Sequence, residues 1–176
     1  MHISFRACLV ALVFSLGLVG CDAPEQHHAG VNNTELTVLW GENSFEQPLY
    51  AVVAEGAGEP KSIGSYSVRI YTPNADGGKR DFFLAGEVFS RDGFLKSITL
   101  ADVDGDQLEE LVVVLESVGT GSYVTAHAWH YLEGHISVIA SAENLLPEVD
   151  MIAALKAQIQ ALNALEPSDS SRGPEQ

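Results

Sequence analysis

Three aspartates at alternate positions, Asp102, Asp104 and Asp106, form the pattern in this sequence that most resembles a metal site. Carboxylates spaced in this way around a glycine can wrap a calcium ion, as at the start of an EF-hand loop. No helical pattern flanks the aspartates, and the next apolar run begins too early for a loop of about 12 residues. Two interpretations stay open: a calcium site, and a turn whose aspartates accept hydrogen bonds from backbone amides.

A second segment suited to recognition is Gly119-Thr120-Gly121-Ser122-Tyr123. It combines backbone freedom, three hydroxyl groups and an aromatic ring. A loop of this kind can project from a rigid scaffold and form hydrogen bonds inside the cleft of another protein. Tyrosine is a frequent interface anchor because it buries a large area at a small entropic cost. The residues alone do not distinguish such a recognition loop from a flexible hairpin turn.

Sequence patterns typical of catalysis are missing. The chain has no Gly-x-Ser-x-Gly turn for a serine nucleophile and no Gly-rich phosphate loop. His127 and His130 are three residues apart, and this spacing on a strand places them on opposite faces, where they cannot share a metal. The 24 acidic residues make any single pair of carboxylates uninformative as a glycosidase centre. We therefore predict a protein that is not an enzyme and that needs no cofactor.

The charge balance argues against nucleic acid as a partner. The 176 residues include 24 Asp or Glu and 9 Lys or Arg, which gives a formal net charge of −15. Phosphate recognition requires clustered Lys and Arg side chains, and a negative field instead favours cationic partners. Hydrophobic residues make up 46% of the chain, which is ordinary usage for one globular domain.

The elements that would position these residues are mainly strands. Short apolar segments alternate with turn signals from Thr34 to about Ala142. Predicted strands cover residues 36–40, 49–54, 66–70, 82–89, 94–100, 111–115, 123–132 and 136–140. Eight strands at this spacing predict a mainly β protein with an antiparallel β-sandwich. The continuous apolar run at residues 111–115 predicts a central strand that is buried on both faces.

One C-terminal helix is predicted over residues 148–166, between Pro147 and Pro167. Apolar residues recur there at steps of three and four, at Ile152, Leu155, Ile159, Leu162 and Leu165. We expect this stripe to pack on the sheet. The folded domain is then residues 34–166, and residues 167–176 are predicted to be a disordered tail.

The N-terminal segment has the pattern of a targeting signal. Arg6 is followed by an uncharged apolar stretch that ends at residue 20, shorter than the roughly 20 apolar residues of a membrane span. Residues 18–21 (LVGC) match the bacterial lipobox, which implies cleavage before Cys21 and lipidation of that cysteine. Residues 21–33 are predicted to be the lipidated cysteine and a flexible linker. The expected location is the periplasmic side of the inner or outer membrane.

Three stretches together resemble the periplasmic inhibitors of invertebrate-type (i-type) lysozyme. They are residues 55–71, 100–115 and 117–129, and the similarity extends in the same order over most of residues 49–147. The resemblance implies a secreted β-sandwich that inserts a loop with a Ser-Gly-x-Tyr motif into the active-site cleft of lysozyme. In this chain the motif falls on Thr120, Gly121, Ser122 and Tyr123. Thr120 stands in place of the serine and retains its hydroxyl group, but its additional methyl group must fit the cleft.

The leading hypothesis is therefore a lipid-anchored inhibitor of i-type lysozyme that protects peptidoglycan. The resemblance implies that the hydroxyls of Thr120 and Tyr123 donate hydrogen bonds to the acidic groups with which lysozyme cleaves its substrate. One alternative is an envelope lipoprotein that binds calcium or a small ligand and does not inhibit lysozyme. Another is an enzyme that acts on cell-wall sugars. A homodimer is compatible with either lipoprotein, because the edges of sandwich sheets often pair.

Overall fold

The computed structural model describes residues 34–41, 48–73 and 80–165, without the side chains of residues 80 and 81. All of these residues belong to one compact unit, Val31–Gln176. The predicted signal peptide, the linker with Cys21 and the predicted C-terminal tail lie outside the described residues. Within the described part of the chain, no helix combines the length and the apolar character that a membrane crossing requires.

The described residues form eight strands and one helix. In chain order, the elements are β1 (Glu35–Trp40), β2 (Leu49–Glu55), β3 (Ile63–Pro73), β4 (Arg80–Asp92), β5 (Phe94–Ala101), β6 (Glu110–Glu116), β7 (Val124–Leu132), β8 (His135–Leu145) and α1 (Met151–Leu165).

The strands form two antiparallel sheets, and each sheet follows chain order. One sheet has the order β1-β2-β3-β4 and the other has the order β5-β6-β7-β8. Their inner faces share a core that includes Trp40, Tyr66, Leu111 and Trp129. Alternate residues of a strand point to opposite faces, so the period-two pattern places one face of each sheet in this core. The predicted sandwich of about eight strands with a C-terminal helix is confirmed.

The helix covers the outer face of the second sheet. Val112 and Val114 of β6 pack there with Leu155 and Ile159 of α1, whereas neighbouring β6 residues such as Val113 face the core between the sheets. Strand β6 is therefore buried on both faces. This burial accounts for its uninterrupted apolar sequence and confirms the prediction for residues 111–115.

The N-terminus of the helix is fixed by a capping residue that the periodicity did not reveal. The carboxylate oxygen Oδ1 of Asp150 accepts the backbone N–H of Ile152 at 3.0 Å and of Ala153 at 3.1 Å. The sequence predicts a helix that starts at residue 148, but the helix begins at Met151. Its described part ends at Leu165.

The apolar stripe of the helix packs on the sheet over only part of its length. Leu155 and Ile159 are buried, but Leu162 is 49% exposed and Leu165 is 78% exposed. The expectation that the whole stripe packs on the sheet is thus correct for its first half and wrong for its last turn. A helical repeat in the sequence marks one face of a helix, but it does not show how much of that face other residues cover.

The register of the strands assigns each connection to one of two ends of the sandwich. Ile63 pairs with Asp92, Phe94 pairs with Glu116, and Glu116 also pairs with Val124. The β2–β3 loop (residues 56–62), the β4–β5 turn and the β6–β7 loop (residues 117–123) therefore share one end, which we call the loop end. The β5–β6 connection, which carries the three aspartates, lies at the opposite end.

Candidate functional site

The β6–β7 loop is an exposed, hydrogen-bonded projection. The backbone N–H of Ser117 donates to the carbonyl oxygen of Tyr123 at 2.8 Å and closes the base of the loop. The N–H of Ser122 donates to the carbonyl of Gly119 at 3.3 Å and forms a tight turn with residues 120 and 121 at its tip. Backbone hydrogen bonds thus close the loop at its base and at its tip, and the tip is open to solvent.

The ring of Tyr123 lies against Gly121. The tyrosine is 45% exposed, and a Cβ atom added at Gly121 would lie 2.8 Å from the ring atom Cδ2. Ser122, between these residues, has a φ of +45°, a left-handed conformation that is costly for a residue other than glycine. The position of the ring therefore depends on the small size of Gly121 and on a strained residue beside it.

The predicted site residues Thr120, Gly121, Ser122 and Tyr123 all lie on this loop, and three of them carry hydroxyl groups. Residues 117–123 carry no formal charge, although the whole chain has a net charge of −15. A neutral loop with hydroxyl donors can approach carboxylates without burying a charge and without like-charge repulsion.

Buried Arg91 supports the loop end of the sandwich. The residue is 3% exposed, and its guanidinium donates to the carbonyl oxygens of Pro60 at 3.0 Å, Lys61 at 3.1 Å and Ser65 at 2.9 Å, and to that of Gly93. One side chain thus joins the β2–β3 loop, the start of β3 and the β4–β5 turn. No local sequence pattern marks this role, because three of the four acceptors are backbone groups 26 to 31 residues before Arg91.

Two carboxylates complete the surroundings of Arg91. Glu55 Oε1 lies 3.9 Å from its Nε, and Glu59 Oε2 lies 3.6 Å from its Nη2. Glu59 also accepts the backbone N–H of Ser65 and, at 2.8 Å, its hydroxyl group. The backbone donor of Ser65, followed by its hydroxyl and the charge of Arg91, lowers the pKa of Glu59. Glu59 is therefore a carboxylate at neutral pH and ties the β2–β3 loop to β3.

Gly93 connects this cluster to the β6–β7 loop. Its φ is +101°, and a Cβ atom there would lie 2.8 Å from the Cα of Ser117, the first residue of the loop. Its N–H donates to the carbonyl of Ser62 at 2.9 Å. On the adjacent strand, Lys96 forms a 2.6 Å ion pair with Glu116, immediately before the loop. The base of the β6–β7 loop is therefore braced by two neighbouring segments.

A buried polar group links the two sheets beneath the loop end. The Tyr66 hydroxyl and His127 Nδ1 are 2.6 Å apart, and Trp129 Nε1 donates to the Tyr66 oxygen at 3.3 Å. Because that oxygen already accepts a hydrogen bond from Trp129, we assign its proton as the donor to an unprotonated Nδ1. Burial lowers the pKa of His127, an effect partly offset by the charge of Glu143, and burial raises the pKa of Tyr66. Both groups are therefore neutral at neutral pH.

The aspartate turn in the β5–β6 connection has both the converging carboxylates of a calcium site and the backbone hydrogen bonds of a structural turn. Carboxylate oxygens of Asp102, Asp104 and Asp106 lie within 4.8 Å of one another, a separation that suits ligands of one calcium ion. The same side chains accept backbone N–H groups, including that of Gly105 on Asp102 at 2.7 Å and that of Leu108 on Asp106 at 2.7 Å. These bonds hold the aspartates together without a metal, as in the turn interpretation.

A second group of potential ligands adjoins this turn. One ligand atom each from Asp104, Glu110 and His130 also lies within 4.8 Å of the others. Glu110 is fully buried and accepts the N–H of Val103 at 2.8 Å. Burial raises the pKa of Glu110, with smaller contributions of the same sign from the nearby aspartates. His127 faces the core between the sheets instead, so the two histidines lie on opposite faces of β7, as their spacing predicts.

Comparison with known proteins agrees with this architecture. The family described as "Periplasmic lysozyme inhibitor of I-type lysozyme" matches residues 44–159. A crystal structure of such an inhibitor from Aeromonas hydrophila is 36% identical, with a TM-score of 0.61 over 70% of this chain and 99% of that chain. A structure of the Aeromonas hydrophila inhibitor in complex with Meretrix lusoria lysozyme is 37% identical, with a TM-score of 0.60 over 70% of this chain and 95% of the other. No curated protein matches significantly. This chain belongs to the family of periplasmic inhibitors of I-type lysozyme.

Proposed function

We propose that this chain inhibits an i-type lysozyme by placing its β6–β7 loop in the active-site cleft of the enzyme. Members of its family are inhibitor proteins and not enzymes. The related Aeromonas hydrophila protein forms a complex with a Meretrix lusoria lysozyme. The observation that carries the loop assignment is the braced projection of Thr120, Gly121, Ser122 and Tyr123 at one end of the sandwich.

The proposed mechanism is competitive occlusion. Glycosidases of the lysozyme type cleave with two carboxyl groups in a groove. The hydroxyls of Thr120 and Tyr123 donate hydrogen bonds to these groups, and bonds to a charged acceptor are stronger than neutral ones. The exposed ring of Tyr123 fills the apolar part of the groove. Because backbone hydrogen bonds already fix the loop, binding requires little further ordering.

The test is inhibition of purified lysozymes by the chain without residues 1–20 and with Cys21→Ser, which keeps it soluble. We expect inhibition of an i-type enzyme and weaker or no inhibition of chicken-type and goose-type enzymes. Tyr123→Ala should raise the inhibition constant about 30-fold or more, because it removes an interface anchor. A folded protein that leaves the i-type enzyme fully active at micromolar concentration would overturn the proposal. Unchanged inhibition by the Tyr123 variant would overturn only the loop assignment.

We also propose that Cys21 carries a lipid anchor, because the family is described as periplasmic and residues 18–21 match the lipobox. Several acyl chains, at about 0.8 kcal/mol per buried CH₂ group, hold a protein firmly to a bilayer. The full chain should fractionate with membranes and incorporate labelled fatty acid, whereas the Cys21→Ser variant should do neither. Wild-type protein in the soluble fraction without label would contradict the anchor.

Calcium binding at Asp102, Asp104 and Asp106 is retained as a second candidate, because their carboxylate oxygens converge within 4.8 Å. A site that binds calcium in the native state raises the melting temperature when the ion is in excess. Such a rise, lost in Asp104→Asn, would support the candidate. An unchanged melting temperature in millimolar calcium would exclude a site with a dissociation constant well below that concentration. The turn lies at the end opposite the loop, so either result leaves the lysozyme proposal standing.

Self-association, the remaining partner prediction, would use the edge strand β4. Phe82 and Val88 on this strand are 70% and 68% exposed. An exposed apolar edge is the kind of surface through which sandwich sheets pair. Light scattering of the soluble chain at increasing concentration tests it, and a constant monomer mass would rule out a stable homodimer.

A further inference from the structure

We propose that the β2–β3 loop is a second lysozyme-contacting segment, with Lys61 and Ile63, the first residue of β3, as its contact side chains. This inference rests on the proposed function and extends the binding surface beyond the β6–β7 loop. The partner chemistry is the rim of the same cleft, where an apolar side chain meets Ile63 and a carboxylate meets Lys61.

The first support is that the β2–β3 loop is exposed and yet fixed. Lys61 and Ser62 lie on the surface. Their backbone is held from beneath, because the guanidinium of Arg91 binds the carbonyls of Pro60 at 3.0 Å and Lys61 at 3.1 Å. A surface loop with its backbone bonded to a buried side chain loses little entropy on binding. Such preorganisation suits a recognition segment.

The second support is the direct link between the two loops. The N–H of Gly93 donates to the carbonyl of Ser62, and a Cβ atom added at Gly93 would lie 2.8 Å from the Cα of Ser117. The bonds from Arg91 to Ser65 and Gly93 anchor the same junction in the first sheet. The β2–β3 loop and the β6–β7 loop therefore adjoin through Gly93 and form one continuous surface, and a cleft that receives Tyr123 lies beside the β2–β3 loop.

The third support is the chemistry that this surface presents. Ile63 is 66% exposed, and Val118 and Tyr123 of the β6–β7 loop are 53% and 45% exposed, so apolar side chains project from both loops. Lys61 is one of only nine Lys and Arg residues in the chain, and it is exposed next to the proposed contact. A cation there complements the acidic groups of a glycosidase cleft, which a mostly acidic protein would otherwise repel.

The experiment compares two pairs of exposed substitutions in the soluble chain and measures inhibition constants and binding rates with an i-type lysozyme. Ile63→Ser is matched by Leu132→Ser, since Leu132 is 61% exposed at the opposite end of the sandwich. Lys61→Glu is matched by Lys156→Glu on the surface of α1. Melting temperatures establish that all four variants are folded.

We expect Ile63→Ser to raise the inhibition constant about fivefold, mainly through faster dissociation. Lys61→Glu should raise it by a similar factor through slower association, and this effect should shrink in high salt. Leu132→Ser should behave as wild type, and Lys156→Glu should not slow association. If the wild type inhibits lysozyme and the Ile63 and Lys61 variants inhibit it as well as their controls do, this inference alone is overturned. Absence of inhibition by the wild type would overturn the proposed function, and this inference with it.

Discussion

The contact between Gly121 and the Tyr123 ring is the feature on which the proposed inhibitory role of the β6–β7 loop most depends. The glycine leaves room for a half-exposed ring that a Cβ atom would displace. Ser122 between them accepts a left-handed backbone conformation, so the loop maintains a local strain. Local strain of this kind is typical of binding sites, since the rest of the fold must hold it in place.

Gly121→Ala should weaken inhibition of i-type lysozyme about tenfold or more, because the added methyl group pushes the Tyr123 ring out of its position. The melting temperature should change little, since the ring is partly exposed and free to move. Gly119→Ala is the matched control, because the nearest atom to its new Cβ is Ser117 Oγ at 3.9 Å, an ordinary contact. Equal inhibition by the two alanine variants would contradict the proposed role of Gly121.

The residues of the loop are contiguous, so they form a recognisable segment in the sequence, and the family resemblance assigned the inhibitory motif to Thr120–Tyr123. The role of Arg91, which braces the loop end, could not be predicted from the sequence. Arg91 appears in the sequence as the first residue of a polar Arg-Asp-Gly turn, but the structure buries it at the end of β4. Its burial depends on backbone carbonyls that only the folded sheet brings together, and hydrogen bonds to the backbone leave no side-chain pattern in the sequence.

The connections at the loop end depend on Arg91, whose guanidinium donates to four backbone carbonyl groups. Arg91→Met should reduce the free energy of unfolding by about 3–5 kcal/mol, because it leaves Glu55 and the carbonyls without their buried cation. Arg69→Met is a suitable comparison, since Arg69 pairs with Glu35 on the surface and its loss should cost about 1 kcal/mol or less. Urea unfolding measures both. Equal losses would contradict the structural role of Arg91.

The folded protein should also be less stable in acid, because His127 is buried between the two sheets. Burial holds its pKa below the ordinary value of 6.5, so the unfolded chain binds more protons than the native chain as the pH falls. Its contribution to stability is therefore complete above about pH 6.5 and decreases below it. His127→Gln should reduce the loss of melting temperature between about pH 7 and pH 5. An identical loss in both proteins would show that another group is responsible.

The arrangement of whole elements was predictable where periodicity carries the information. Alternation at Tyr66, Val68 and Ile70 marks an inward face, and the structure places these residues in the core. The continuous run from Leu111 to Leu115 indicates burial on both sides. Neither pattern reveals that the sheets divide between β4 and β5, or that Leu162 of the helix stays half-exposed, because these features depend on contacts between distant segments.

At the scale of the whole molecule, the two segments singled out in the sequence lie at opposite ends of the sandwich. The β6–β7 loop is at the end braced by Arg91 and Gly93, and the aspartate turn is at the other. This separation predicts that a ligand at the aspartate turn leaves lysozyme binding unaltered. The net charge of −15 acts over the entire surface and should speed association with a cationic lysozyme at low salt.

The most direct test of loop occlusion is competition for the cleft. The affinity of the soluble chain for an i-type lysozyme is measured by calorimetry with and without a saturating soluble chitooligosaccharide, which occupies the substrate groove. The proposal predicts that the oligosaccharide raises the apparent dissociation constant of the wild-type chain in inverse proportion to the fraction of lysozyme whose groove is left free. It predicts the same for Gly119→Ala, and much weaker binding for Tyr123→Ala even without sugar. An affinity that is unchanged by a saturated groove would show that the inhibitor binds elsewhere on lysozyme, and it would contradict the central claim.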